Sequence, residues 1–357
     1  MCAGETTNQR QQQKMHKRRL LLVLLSVIAI AGSARSGHAD LLINGAGATF
    51  PYPIYSKWFD AYAKENPGIK FNYQSIGSGG GIRMLSNRTV DVGASDAPLT
   101  DQQLSDAPGK ILHFPSVMGA VVVAYNLPGY TGELRLTGPV IADIFAGKIT
   151  KWDDDKIKAL NPSAAIPSTD IVVCHRSDGS GTSYIFTDYL SKVSPSWSSD
   201  VGKSTAVKWP TGLGGKGNEG VTALVQQTPG AIGYVELIYA LNNKIPFATL
   251  QNKSGNWQVA SLEGVTAAAS SLASTIPADF RVSITDAPGA DAYPISSFTY
   301  LLVYQQQSKK DVGEQIKKFL QWALHDGQKY APELKYAGLP AEVIQREDAQ
   351  LQKVQVP

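Results

Sequence analysis

The sequence predicts an α/β protein with mainly parallel sheets, on three observations. Short β-branched or apolar runs alternate with segments whose apolar residues recur at helical spacing. Three of the strand-to-helix turns, Gly45–Phe50, Gly77–Gly81 and Asp178–Thr182, are rich in Gly, Ser and Thr. The chain has 357 residues, 43% hydrophobic, ample for a large core and, at roughly 100–200 residues per domain, for two domains.

The first segment reads as a secretory signal peptide, residues 1–39. Lys17, Arg18 and Arg19 precede the apolar run LLLVLLSVIAI, and small residues ending in GHA lead to Asp40. The run is short for a bilayer span, so cleavage after Ala39 is expected rather than a retained anchor. Removing 1–39 leaves 27 basic and 29 acidic residues, a formal charge of −2 against +3 for the whole chain. Bulk charge then argues against a nucleic-acid partner, and any anion must be captured by local geometry. Of Cys2 and Cys174 only the second follows Ala39, so no internal disulfide is expected. No cysteine stands between the apolar run and Asp40 to take a lipid anchor. Cys174, at a strand end, reads as a buried and inert thiol. With only three of the five histidines following residue 39, no HExxH and no paired CxxC, no metal site is expected, and no cofactor is anticipated.

In chain order, Leu41–Ile43 reads as a strand entering a Gly-rich turn. Ile54, Trp58 and Tyr62 then mark an amphipathic helix with Pro51 and Pro53 at its start, where a missing N–H costs little. Phe71–Ile76 alternate as a strand, Gly77–Gly81 read as a flexible turn, and Ile82–Leu85 begin a helix. TVDVGASDAPL gives a short strand ending at Ser95 and Asp96. Two apolar strands are expected around Val117–Asn126, followed by helical segments in GPVIADIFAG and WDDDKIKAL. Ile171–Val173 ends a buried strand, and Tyr184, Ile185, Tyr189 and Leu190 recur at helical spacing beyond it. The remainder reads as a helix over Val221–Gln227, a turn and strand over Pro229–Leu237, a helix in SLEGVTAAASSLAST, a strand pair in YPISSFTYLLVYQQ, and a last amphipathic helix through Phe319, Leu320, Trp322 and Ala323.

The segment CHRSDGSGTSYIF carries the clearest chemistry. A helix N-terminus presents unpaired N–H groups and partial positive charge, which suits an anion. Arg176 adds a full charge and a flat fork of donors, and Ser180 and Thr182 add hydroxyls. The same residues also fit an ordinary N-cap with Arg176 exposed. Asp178, two residues on, would hold the guanidinium, or would be one half of a solvated surface pair worth little. Ser78 stands where its hydroxyl could face a ligand. In open α/β sheets ligands lie beyond the carboxyl ends of strands, so the three turns would converge on one small anion.

Asp96 discriminates among anions. A carboxylate repels an anion unless the ligand brings a proton to donate, and phosphate near neutral pH keeps at least one P–OH whereas sulfate has none. A lone acceptor among donors would therefore select phosphate. The bland reading is a turn cap ahead of Pro98. GKGNEG (215–220) matches GxGxxG, but no apolar strand is seen running into it, so it reads as a chance match rather than a dinucleotide site. A secreted phosphatase using Ser180 or Thr182 as nucleophile would need a base or metal beside that residue. A receptor for another oxyanion would need Asp96 to tolerate full ionisation.

Together the stretches GAGATFP, YQSIGSGGG, DVGASDAPL, GKITKWDD, RSDGSGTSYIFT, VKWPTGLGGKGN and PGAIGYVE, which run in this order across nearly the whole chain after residue 39, resemble the periplasmic phosphate-binding proteins of bacterial phosphate-specific ABC transporters. The resemblance implies a type II periplasmic binding protein fold, two α/β domains joined by a two-segment hinge with phosphate in the cleft. It places one domain at 40–116 plus 292–357 and the other at 117–291. It implies phosphate contacts at Thr49, Phe50, Ser78 and Asp96 from the first domain and at Arg176, Ser180, Gly181 and Thr182 from the second, with Asp178 supporting the arginine. It implies no catalysis, a periplasmic monomer without a lipid anchor, and delivery of phosphate to two permease subunits and an ATP-binding subunit. One departure stands out: Gly79 occupies a position where the family often has serine.

Overall fold

The strands are β1 (Leu41–Gly47), β2 (Ile69–Ser75), β3 (Val92–Ser95), β4 (Ile111–Tyr125), β5 (Arg135–Leu136), β6 (Val172–Arg176), β7 (Leu213–Gly215), β8 (Ala231–Glu236), β9 (Thr249–Gln251), β10 (Trp257–Gln258) and β11 (Ser296–Tyr304). Eight of them form one sheet in the order β2-β1-β3-β11-β4-β8-β6-β7, and β10-β9-β5 form a small second sheet. These positions come from a computed structural model, which describes residues 40–357 together with residues 12 and 15. The basic Lys17–Arg19, the apolar run and the cleavage position after Ala39 lie outside the described residues. Among the described residues no helix is long and apolar enough to cross a membrane.

Within the eight-stranded sheet, parallel pairing is confined to the two wings. On one side β1 pairs parallel with β2 and β3; on the other β6 pairs parallel with β7 and β8. The middle of the sheet is antiparallel, because β11 runs against both β3 and β4, and β4 runs against β8. The expectation of mainly parallel pairing thus holds for the wings and is corrected at the centre.

The centre also corrects two element readings. Instead of two strands around Val117–Asn126 there is one 15-residue strand, β4, buried along its whole length. Pro115, which lacks an N–H, lies in this strand where the β4–β11 register shifts between Thr299 and Tyr300. Residues Ile111–Ala120 of β4 pair with β11, and Val121–Tyr125 pair with β8. One strand therefore links the two wings. The expected strand pair in YPISSFTYLLVYQQ is likewise the single buried strand β11. Its serines read as a turn, but the Ser296 and Ser297 hydroxyls satisfy themselves on the carbonyls of Tyr293 and Phe298, each at 2.8 Å.

A third correction concerns Gly77–Gly81. The helix begins at Ser78 and runs to Ser86, so three glycines lie in its first turn rather than in a flexible loop. Glycine costs about 1 kcal/mol per residue in a helix interior. Tertiary contact overrides that cost here, since a Cβ at Gly81 would collide with the β1 and β3 backbones, one at Gly80 with the Ile76 side chain, and one at Gly79 would be tight against Gly179.

Each wing has its own aromatic core. Tyr55, Trp58, Phe59 and Tyr62 from helix Tyr52–Glu65 pack with Phe71 of β2 and with Phe319 and Trp322 of helix Lys310–Leu324; Phe59 and Phe71 stack at 4.5 Å. On the other side Phe145, Phe186, Trp209 and Tyr234 cluster, with Phe186 stacked on Tyr234 at 4.3 Å. Such pairs contribute about 0.5–1.5 kcal/mol each beyond the area they bury. Both cores hold rigid the helices whose first turns meet between them, and Leu41–Pro357 forms one compact unit.

Candidate functional site

Helices Tyr52–Glu65, Ser78–Ser86 and Gly181–Val193 begin just beyond the carboxyl ends of β1, β2 and β6. The first turns of the second and third face one another. The Gly79 N–H donates to the Gly179 carbonyl at 2.8 Å. Gly181 lies so close to the opposite wing that a Cβ there would collide with Asp96 Oδ2 and Ser78 Oγ. Only a residue without a side chain lets the two wings meet at this point.

From the β1 side, Thr49 and Phe50 are buried between β1 and the following helix. Thr49 Oγ1 accepts from the Asn218 backbone N–H at 3.2 Å and from Asn218 Nδ2 at 2.8 Å. The Phe50 carbonyl accepts from the Tyr336 hydroxyl at 2.6 Å, which fixes the backbone at the helix entrance. Ser78 Oγ accepts the Asp96 N–H at 3.2 Å, so its own proton is free to be donated inward.

From the β6 side, Arg176 is 3% exposed, which rules out the reading of a solvated surface pair. Its Nε and Nη2 donate to the two Asp178 oxygens at 2.8 and 2.6 Å, a bidentate pair. Burial pushes the Asp178 carboxyl up, but hydrogen bonds and charge from Arg176 and the Gly217 N–H outweigh it and hold the group below its usual range. Ser180 is the N-cap, its Oγ accepting from the Ser183 N–H at 3.0 Å. The N-cap reading is therefore correct for Ser180, while the exposed arginine that went with it is not. Arg176 Nη1 reaches Thr182 Oγ1 at 3.4 Å. Cys174, just upstream, is buried, and burial pushes its thiol up to about 11, as an inert thiol requires.

Asp96 differs from Asp178 in its partners and in the direction of its shift. It is 1% exposed. Its Oδ1 accepts from the Thr299 hydroxyl at 2.7 Å, and its Oδ2 is buried with no hydrogen-bond partner. Burial pushes its carboxyl up to about 7, against the opposing pull of Thr299, the Arg176 charge and Ser78. It does not cap the turn before Pro98; that turn is closed by Ser95, whose Oγ accepts from the Ala97 N–H at 3.1 Å. A buried acceptor without a partner costs about 1–3 kcal/mol. The oxygen is thus poised to accept a proton from whatever enters the site.

A family model described as the PBP superfamily domain matches residues 5–326. The phosphate-binding protein PstS of Pasteurella multocida is 45% identical over 338 residues, covering 94% of this chain and 96% of its own. That of Methanocaldococcus jannaschii is 40% identical, with 90% and 91% covered. The chain belongs to the PstS phosphate-binding proteins. Solved structures agree on the fold. A periplasmic phosphate-binding protein, PfluDING, bound with phosphate, superposes with a TM-score of 0.65 at 21% identity, covering 87% of this chain and 93% of that one. A phosphate ABC transporter substrate-binding protein from Clostridium perfringens gives 0.62 at 19%, with 84% and 100% covered. The PstS chain accordingly has the type II periplasmic binding fold.

In this PstS chain the eight expected residues and Asp178 all lie at the junction of the two wings, linked by the contacts above. Sequence reasoning missed several partners. Asn218, set aside as part of a chance GxGxxG match, is wholly buried and bonded to both Thr49 and Thr182. A short strand, β7, does run into that segment, and helix Gly217–Gln227 follows it. A strand-to-helix turn at Leu213–Gly217 was the signal that could have found it. Thr299, Tyr239 and Glu236 had no comparable local signal. Tyr239 donates its hydroxyl to the Thr49 carbonyl at 2.6 Å. Glu236 caps helix Leu237–Asn242 through Oε2, and burial, opposed by the Ile238 and Leu237 N–H groups, pushes its carboxyl well above the usual range.

Proposed function

We propose that this chain binds inorganic phosphate in the periplasm and hands it to an inner-membrane ABC permease for ATP-driven import. The observation that carries the reading is Asp96: a buried carboxylate oxygen without a partner, set against Ser78, Arg176 and the Gly181 backbone. Donors from two helix starts and a guanidinium stabilise the anion's unprotonated oxygens. Asp96 Oδ2 takes the P–OH proton, which sulfate cannot offer. Membership of the PstS family supports the same ligand.

In this reading Thr49, Phe50, Ser78, Asp96, Arg176, Ser180, Gly181 and Thr182 contact phosphate, and Asp178 holds Arg176. Two domains, 40–116 with 292–357 and 117–291, hinge on β4 and the return segment before β11. Phosphate favours the closed form because only there do both sets of donors reach it. The permease, two membrane subunits served by an ATP-binding subunit, recognises that closed form. The chain works as a monomer, exported by residues 1–39 without a lipid anchor, and turns nothing over.

Titration calorimetry on residues 40–357, unfolded and refolded to strip bound ligand, tests this with phosphate and sulfate at neutral pH. One-to-one phosphate binding without sulfate heat is expected. Equal binding of both would remove the role given to Asp96, and binding of neither would remove the function.

A further inference from the structure

Asn218 is wholly buried at the start of helix Gly217–Gln227, and every polar atom of its side chain is used. Its Oδ1 accepts the Glu236 backbone N–H at 3.0 Å. A backbone N–H can only donate, so this bond fixes the amide orientation and aims Nδ2 at the site. The two Nδ2 protons are then shared out, one to Thr49 Oγ1 at 2.8 Å and one to Thr182 Oγ1 at 3.1 Å. Those two hydroxyls come from opposite wings.

A hydroxyl has two acceptor lone pairs and one proton. Thr49 Oγ1 already accepts twice, from Asn218 N and Nδ2. Thr182 Oγ1 also accepts twice, from Asn218 Nδ2 and Arg176 Nη1. Each hydroxyl has only its proton left to offer. We infer that Asn218 is a positioning residue that commits the Thr49 and Thr182 hydroxyls to donation, so that neither competes with Asp96 for the ligand's proton. The inference rests on the phosphate-binding reading. It deepens it by assigning the proton selectivity to the pair Asp96 and Asn218 rather than to Asp96 alone. A free threonine hydroxyl can turn and accept; these two cannot.

The consequence is visible in pH dependence. As pH falls, free phosphate gains a second proton that Thr49 and Thr182 cannot accept, and Asp96, raised by burial to about 7, takes up a proton of its own, so affinity should fall. The titratable groups facing the cluster are Asp96, Arg176, Asp178, Glu219, Glu236 and Tyr239. Substitution at position 218 removes none of them, so the difference between the variant and wild-type profiles reports the hydroxyls. Replacing Asn218 frees one lone pair on each, and the hydroxyls can then turn to accept the second proton.

Phosphate affinity would be measured for the wild-type chain, Asn218→Ala and Asn218→Ser at about pH 8.5 and about pH 5.5. The variants should bind about tenfold or more weakly at the higher pH. Their loss of affinity on acidification should be smaller than wild type's by about fivefold. A residue that merely packs would weaken binding equally at both pH values, and that outcome overturns the inference. A neutron structure of the deuterated wild-type chain with phosphate needs no variant to fold. Deuterons of both hydroxyls should point at phosphate; a hydroxyl deuteron directed at Asn218 overturns the inference. Wild type failing to bind phosphate at either pH would instead count against the proposed function.

Discussion

The two wings each bring one aspartate to the junction, and the two carboxylates are treated in opposite ways. Asp178 faces a bidentate arginine and a backbone N–H and is held below its usual range. Asp96 has one hydroxyl on Oδ1, nothing on Oδ2, and is pushed up to about 7 by burial. The Arg176 charge reaches both, but it is in hydrogen-bond contact only with Asp178. Identical side chains, both near one guanidinium, thus become a permanent anion that holds the arginine and a proton acceptor left open for the ligand. Environment, not residue type, assigns the roles.

The comparison breaks most severely at Arg176. Arg176→Ala leaves Asp178 buried without its cation, as Asp96 already is. Phosphate affinity should fall by roughly a thousandfold or more, and stability by about 3–5 kcal/mol, the cost of stripping one partner from a buried pair. Calorimetry and urea unfolding would read the two losses. An unchanged unfolding midpoint would show that Asp178 is not held as described.

Asp96→Asn tests the other carboxylate, and here the sign is opposite. Because the folded carboxyl is raised from 3.8 to about 7, its contribution to stability is fully present below about pH 4 and is lost as pH rises toward 7. The asparagine variant has no such loss. Without phosphate it should therefore be more stable than wild type at pH 8, by roughly 4 kcal/mol at most if three pH units are carried at 1.36 kcal/mol each. The advantage should vanish near pH 4, and an opening of the wings that wets Asp96 would shrink it. Its phosphate binding should weaken while sulfate binding appears. A flat difference between pH 4 and 8 would contradict the burial assigned to Asp96.

The smallest effect is expected where the wings touch without chemistry. A Cβ at Gly79 would stand 3.1 Å from Gly179 Cα, a tight contact that a few tenths of an ångström relieve. Gly79→Ser, the residue common in the family, should change phosphate affinity by no more than about threefold. A larger loss would mean that the two helix starts cannot give at that contact.

Much of the site was legible because its chemistry is local. Arg176, Asp178, Ser180 and Thr182 fall within one strand-to-helix turn, and the capping and pairing they make, Ser180 to Ser183 and Arg176 to Asp178, span three and two residues. The errors lie where burial overrides local signals. Two strands were expected where β4 and β11 each run as one, and three glycines looked like a loop, because sequence alone does not register the sheet that absorbs them. Asn218 escaped because the strand ahead of its helix, Leu213–Gly215, has only three residues and two of them are glycine.

Sequence by itself determined that one strand-to-helix turn carries Arg176, its carboxylate partner Asp178 and the hydroxyls of Ser180 and Thr182, since helix starts, caps and neighbouring ion pairs depend on spacing along the chain. Tertiary structure decided the state of those groups. Asp96 meets Thr299 across 203 residues, and Thr49 meets Asn218 across 169. Contacts at that separation depend on strand order and on β4 and β11 running antiparallel between the wings. The wings also exclude water, so a hydrogen bond left unmade on Asp96 Oδ2 cannot be made to solvent and is available to a ligand's proton.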